Sequence, residues 1–268
     1  MGPRSDVNQV LTWTCRFSIK DPDPKITVIV VIKNRARSIV ENFLFSFLQQ
    51  PPVPRIVIVD YGSTEDNVNM LKGVWWNTRA FDLIRVTRGV DPFCKARGLN
   101  VGLKTVISPF SLFTDIDVMF GKGVVAEVRR TLDANPPCIA TVHTFNMFKG
   151  RDYRTGWITD RLYGRYYNQY AVGGCLAAKT DWFMSIHGFD EGFVNWGGED
   201  WDMWQRAGSA GRPQIRLNKR RFRLWHQWHP HLKDLNPVLY KKAWSDGIRR
   251  CTNLRKIVVR NLKGWGEL

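Results

Sequence analysis

Two runs of β-branched residues constrain this chain more than any other feature. Ile26-Thr-Val-Ile-Val-Val-Ile32 is β-branched throughout, and Arg55-Ile-Val-Ile-Val-Asp60 repeats the pattern. Neither run alternates polar with apolar, so each reads as a strand covered on both faces, as in a parallel sheet. Between them, Lys33–Arg37 is a polar turn and residues 39–49 read as a helix. Ser38 stands in the capping position with Glu41 at the third helical position, and Pro51, Pro52 and Pro54 end the segment. The alternation continues downstream. Residues 61–66 turn into a helix, 81–86 form a third strand, 91–104 a loop entering a helix, and 110–114 a fourth strand. Residues 124–134 are a helix stopped by Asn135-Pro-Pro137, and 138–145 and 171–178 are further strands. Strand and helix in alternation predict an α/β fold: a Rossmann-like, mostly parallel sheet flanked by helices.

Ligands of such sheets gather at the carboxyl ends of the strands. Asp60 ends the second apolar run and Asp115 ends the fourth, in Phe110-Ser-Leu-Phe-Thr-Asp115-Ile-Asp117. If the strand continues through Asp117, both carboxylates face one side. Two like charges there are tolerated if a divalent cation sits between them and an anionic ligand. Farther on stand Trp196-Gly-Gly-Glu199-Asp200 and the cluster His226, His229 and His231.

No apolar run approaches the ~20 residues that span a bilayer. The five cysteines are scattered and odd in number, which argues against a disulfide framework and for a reducing, cytoplasmic setting. Net charge is +16, and residues 203–268 hold 16 Lys and Arg against 3 Asp and Glu, a net of +13. Segregation of that kind suggests a polyanionic partner. Residues 149–170, with five tyrosines and one tryptophan, read as a long loop near the site. No repeat or low-complexity linker divides the chain, so one domain is expected. It has an irregular lead-in over 1–24 and a basic helical extension over 236–268, helical across 237–262.

These segments together resemble the GT-A glycosyltransferases, nearest to the family 2 group with a galactosyltransferase-type C-terminal module. Ile29-Val-Val-Ile-Lys-Asn-Arg35 resembles the first nucleotide-binding strand and turn. Val59-Asp60-Tyr-Gly-Ser-Thr-Glu-Asp66 is similar to Val-Asp-Asp-Gly-Ser-Thr-Asp, with Tyr61 in place of the second aspartate. Thr114-Asp-Ile-Asp117 looks like the metal-binding Asp-X-Asp. Gly188-Phe-Asp-Glu191 and Trp196-Gly-Gly-Glu-Asp200 resemble the acceptor segment.

The resemblance implies a nucleotide-sugar-binding half over 25–120 and an acceptor-binding, catalytic half over 121–235. It implies a metal-dependent, inverting transfer from a nucleotide-diphosphate sugar, UDP favoured, to a hydroxyl. Asp60 would receive the donor base, and Lys95, Arg97, Asn100, Asp115 and Gly174 would also line the donor. Asp115, Asp117 and His226 would hold Mn²⁺ or Mg²⁺, with His229 the rival ligand. Asp200 would be the general base, Glu199 a catalytic and acceptor-binding carboxylate, and Trp196, Gly197 and Gly198 acceptor contacts. Trp201 and Trp204 are further stacking candidates. The basic last quarter extends the expectation to a polyanionic acceptor, a hydroxymethylated base in viral-type DNA. A glycan or lipid-linked acceptor is the rival, and a non-catalytic nucleotide-sugar or nucleic-acid binder is the reading from another class.

Overall fold

The computed structural model describes residues 23–78, 80–147, 164–166, 172–195 and 197–267. Strands β1 (Asp23–Ile32), β2 (Pro54–Tyr61), β3 (Asp82–Val86) and β4 (Phe110–Asp115) lie parallel in the order β4-β1-β2-β3. Beyond β4, β9 (Leu176–Lys179) runs antiparallel to both β4 and β6 (Ile139–Thr141), and β10 (Gln214–Arg216) closes that edge parallel to β6. A second sheet has the order β5-β11-β7-β8, from β5 (Val118–Phe120), β7 (Thr144–Met147), β8 (Gly164–Tyr166) and β11 (Leu224–His226). The helices are α1 (Arg37–Leu48), α2 (Glu65–Thr78), α3 (Lys95–Leu103), α4 (Val124–Ala134), α5 (Thr180–Ser185), α6 (Glu199–Ser209), α7 (Leu232–Leu235) and α8 (Pro237–Leu254).

The unbroken apolar runs are explained by burial on both sides. Val28, Val30 and Ile32 of β1 pack with Phe43 and Phe47 of α1 and Leu132 of α4. Ile29 and Val31 point the other way, into Leu99 and Leu103 of α3, Phe183 and Trp204. Register then places the acidic strand ends together: Asp60 is opposite Ile32, and Asp115 is opposite Val31.

Several boundaries differ from the sequence reading. Helix α1 begins at Arg37 behind Ala36, with no side-chain cap, so Ser38 lies inside it. Residues 138–145 are two strands, because the chain changes sheets at Val142–His143. Leu217 donates to the Thr141 carbonyl in the main sheet, and Leu224 donates to the His143 carbonyl in the second. The strand expected over 171–178 is confined to Leu176–Lys179. Strand β4 stops at Asp115, leaving Ile116 and Asp117 in a turn before β5. The two aspartates therefore do not share a strand face. The lead-in through residue 22, Trp196 and most of 149–170 lie outside the described residues.

The C-terminal extension is helical over Pro237–Leu254, and the β-branched Ile257-Val258-Val259 run that follows is not. Ala243, Gly247 and Cys251 make a narrow buried stripe along α8. Arg250 donates to Asp190 at 2.6 and 2.8 Å. Arg260 bridges Asp190 at 3.1 Å and Asp202 of α6 at 2.9 Å. Arg206, fully buried, donates to the carbonyls of Ile186, Gly188 and Val258. Three cations of the basic quarter are thus internal counter-charges.

Burial alone would raise the Asp190 pKa, but hydrogen bonds from Arg250 and Gly192 and the charge of Arg260 hold it below the ordinary carboxylate value. Its contribution to stability is present above the unfolded carboxylate pKa and is lost as pH falls through the depressed one. Asp190→Ala leaves Arg260 buried without this partner and is expected to cost about 3–5 kcal/mol. Urea unfolding followed by circular dichroism checks this; a loss well under 1 kcal/mol would contradict the role of the cluster.

Candidate active site

Three parallel strands deliver chemistry to one edge. Asp60, at the end of β2, is fully buried. Its Oδ1 accepts from the Ser63 amide at 3.1 Å. Its Oδ2 has no hydrogen-bond partner, since Arg85 approaches only to 3.5 Å. Tyr61, which replaces a second acidic residue, donates to the Gly89 carbonyl at 3.0 Å and packs edge-on against Phe93. It tethers the loop beside Asp60.

Lys95 opens α3 immediately after Cys94, whose sulfur caps the helix by accepting from the Arg97 amide. The Lys95 ammonium pairs with Asp115 of β4 and, at 3.0 Å, with Glu199 at the start of α6. Burial opposes the charge, but Asp115, Glu199 and Asp200 together lift the lysine pKa well above its usual value. The carboxylates respond in kind. Burial raises the pKa of Asp115. Burial, then the charge of Glu199, pushes Asp200 up to about 6. Gly197 and Gly198, at φ of +80° and +100°, turn the chain into α6 through the left-handed region that glycine adopts without strain. Opposite Asp200 stands Gly173, where an added Cβ would lie 2.5 Å from Oδ2.

A second cluster forms around Asp117. His226 Nε2 lies 3.4 Å from Oδ1, while His229 Nε2 and Arg35 lie 3.0 and 3.3 Å from Oδ2. Strand β11 carries His226 beside β5, antiparallel, with His226 opposite Val118. Gln227 fixes the turn to His229: its amide donates to the Asp117 carbonyl at 2.7 Å, and its side chain bonds Ile39 and Asn42 of α1. Burial would raise the Asp117 pKa, but His226, His229 and Arg35 hold it well below the carboxylate range. The hydrogen bond to Asp117 raises that of His229. One ligand atom from each of Asp117, His226 and His229 lies within 4.8 Å of the others, and Asp117 Oδ1 is buried without a hydrogen-bond partner. A carboxylate and two imidazoles converging on one point fit a divalent cation. Asp115 is not part of this group.

The structure thus brings together Lys95, Asp115, Glu199 and Asp200 on one side, and Asp117, His226 and His229 on the other. Other candidates fall away. Asn100 is fully buried, and its amide is spent on Phe189 and Glu191. Arg97 donates to the Gly89 and Glu267 carbonyls, which ties it to a loop and the chain end rather than leaving it for phosphate. Gly174 faces Thr144 and Leu224, a packing contact. Trp204 is buried under Arg216, and Trp201 is 36% exposed. Sequence reasoning had not singled out Arg35, Arg85 or Gln227. Their signal was position alone: Arg35 three residues past the end of β1, Arg85 next to the last residue of β3, and Gln227 between two histidines.

The glycosyl transferase family 2 profile matches residues 27–186. This chain belongs to that family. Residues 158–229, which include Glu199, Asp200, His226 and His229, match the profile described as the N-terminal domain of galactosyltransferase. No curated protein matches the chain. Among solved structures it is similar to GalNAc-T7 with UDP, GalNAc and Mn²⁺, at 12% identity and a TM-score of 0.59 over 77% of this chain and 44% of that one. It is also similar to the mannosyltransferase PcManGT from Pyrobaculum calidifontis in complex with GDP-Man and Mn²⁺, at 18% identity and 0.55, over 76% and 58%. S. aureus TarS residues 1–349 gives 18% and 0.56, over 83% and 65%. The chain spans less than two thirds of each of these proteins. At such identities the likeness establishes the GT-A fold.

Gly173→Ala tests how closely Asp200 is placed. The clash falls on a side-chain end, so the thermal midpoint should hold, while displacement of the carboxylate by about 1 Å should lower turnover roughly 10²-fold. An alanine variant with unchanged turnover would show that the position of Asp200 does not matter.

Proposed function

We propose that this family 2 member is a divalent-metal-dependent, inverting glycosyltransferase that moves a sugar from a UDP-sugar to a hydroxyl acceptor. The observation that carries the reading is the convergence of Asp117, His226 and His229 on one point, with a buried carboxylate oxygen that accepts no hydrogen bond. Two imidazoles favour Mn²⁺ over Mg²⁺, which prefers oxygen ligands. The bound ion supplies charge neutralisation for the departing diphosphate. To an N–H of the donor base Asp60 presents a buried oxygen that accepts no hydrogen bond, which suits uracil.

On the acceptor side, Asp200 takes the proton of the attacking hydroxyl. The hydroxyl oxygen bonds to the anomeric carbon as the bond to the diphosphate oxygen breaks, and the leaving group keeps the electron pair. One displacement by the acceptor inverts the anomeric centre. Lys95 pairs with Asp115 and Glu199 beside Asp200, and Gly173 leaves room beside Oδ2.

The acceptor reading shifts with the structure. The DNA version leaned on the basic quarter, and Arg206, Arg250 and Arg260 are committed internally. A glycan or lipid-linked hydroxyl is the acceptor class we favour.

EDTA should abolish UDP-sugar hydrolysis and transfer, and Mn²⁺ should restore both. Calorimetric Mn²⁺ affinity should fall in Asp117→Ala. Full activity of Asp117→Ala without added metal would sink the reading. Asp200→Asn should retain Mn²⁺ and UDP binding while kcat falls about 10²–10⁴-fold. Because the base must be ionised and its pKa is raised to about 6, kcat should climb as pH rises through about 6 and then level off. A profile flat from pH 5 to 8 (about 10-fold in proton activity on the acid side of that value and about 100-fold on the other) would remove Asp200 from the role.

A further inference from the structure

Helix α8 and the short α7 before it present a surface unlike the rest of the molecule. The inner side of α8 is only the small-residue stripe Ala243, Gly247 and Cys251. Beside and beyond that stripe the helix carries large apolar groups that are partly exposed: Val238 is 78% exposed, Trp244 48% and Ile248 50%. Leu235, at the corner between the two helices, is 71% exposed. Trp244 and Ile248 are one turn apart, so they share a face, and Lys241 lies one turn before Trp244 on that face. From Val238 to Ile248 these side chains span about 15 Å of the helix. Basic residues border it: Lys233, Lys241, Lys242, Arg249, Arg255 and Lys256 are all exposed. Asp246 takes up part of this charge, pairing with Lys242 at 2.6 Å and Arg249 at 2.7 Å. Asp234 is the other exposed acid of the two helices.

We propose that this face of α7 and α8 docks the protein onto an anionic phospholipid surface. An aliphatic and indole row rimmed by lysine and arginine is the composition of helices that lie in a membrane interface. The aliphatic part decides between polyanions. Phosphate backbones reward lysine and arginine but give no return for bare Leu235, Val238 and Ile248, whereas acyl chains do. No helix among the described residues is long and apolar enough to cross a membrane, which fits a helix lying on the surface. The helix that carries this face also adjoins the candidate acceptor segment. The inner side of α8 packs there, with the Gly197 carbonyl 3.1 Å from where a Gly247 Cβ would stand and the Cys251 sulfur 3.6 Å from the Gly198 carbonyl. Docking does not depend on the proposed transfer chemistry.

The test is flotation of the protein with vesicles of phosphatidylcholine alone or with about a third phosphatidylglycerol, at low and high salt. Binding to the anionic vesicles, lost in neutral ones and weakened by salt, is expected. Trp244→Glu with Ile248→Glu should abolish it while the thermal midpoint and the rate of UDP-sugar hydrolysis in solution stay as in the wild type. Lys241→Gln alone should weaken anionic-vesicle binding about fivefold. Equal flotation of the wild type and the double variant would overturn the proposal. So would duplex DNA binding that outcompetes the vesicles, or a dimer in sedimentation that Ile248→Glu dissociates.

Discussion

The site depends on a single ammonium. Asp115, Glu199 and Asp200 come from two distant segments and meet in a poorly solvated place, where three like charges would repel strongly. Lys95 stands among them, touching Asp115 and Glu199. It joins the end of β4, the start of α3 and the start of α6, which are the elements that shape the floor of the site. The arrangement also divides labour. Lys95 contacts the first two carboxylates directly, and Asp200, one residue farther along α6, is left with a pKa near neutrality. A proton-accepting group at physiological pH needs a pKa in that range, and here burial and the neighbouring Glu199 charge raise it while Lys95 offsets only part of the rise.

The neighbouring cluster solves a different electrostatic problem. Asp117 is nearly buried and gathers two histidines and Arg35, yet one of its oxygens still lacks a hydrogen-bond partner. A buried, unpartnered carboxylate oxygen is costly unless something occupies it for part of the protein's working life. The fold invests a separate small sheet in this spot. Strand β11 brings His226 to β5, and Gln227 braces the next turn against α1 so that His229 arrives from the same side. Much of the second sheet is accounted for by this delivery.

How much of this was legible in the sequence depended on how local the cause was. The unbroken β-branched runs announced buried parallel strands, and the acids at their ends announced the ligand edge. Both inferences need only the strand period and the topology of a parallel sheet. The fate of polar side chains was not legible, because it is decided by distant partners. Asn100 and Arg97 looked like donor contacts at a helix start. In space, one holds the loop at Phe189–Glu191 and the other grips the last residues of the chain. Asp115 and Asp117 looked like a pair on one strand face, but the strand ended two residues too early, at Asp115. The departure at Tyr61 proved to be architectural: its hydroxyl holds the Gly89 loop where a second acid would have offered only charge.

The basic last quarter shows why net charge is a poor guide to partners until side chains are placed. Two groups among its 16 lysines and arginines have opposite meanings. Arg206, Arg250 and Arg260 are buried or half-buried, face Asp190 and Asp202, and bind the extension to the helix that carries Glu199 and Asp200. Those cations would be present whatever the protein binds. The exposed lysines and arginines of α7 and α8 have no comparable structural duty, and they stand beside apolar side chains that a helix merely covering the core would turn inward. The stripe that faces the core is made of Ala243, Gly247 and Cys251, small enough for the helix to sit close against the glycine pair before α6. A helix with its small residues inside and its large apolar residues outside is built to present a surface, and it does so next to the segment proposed to receive the acceptor.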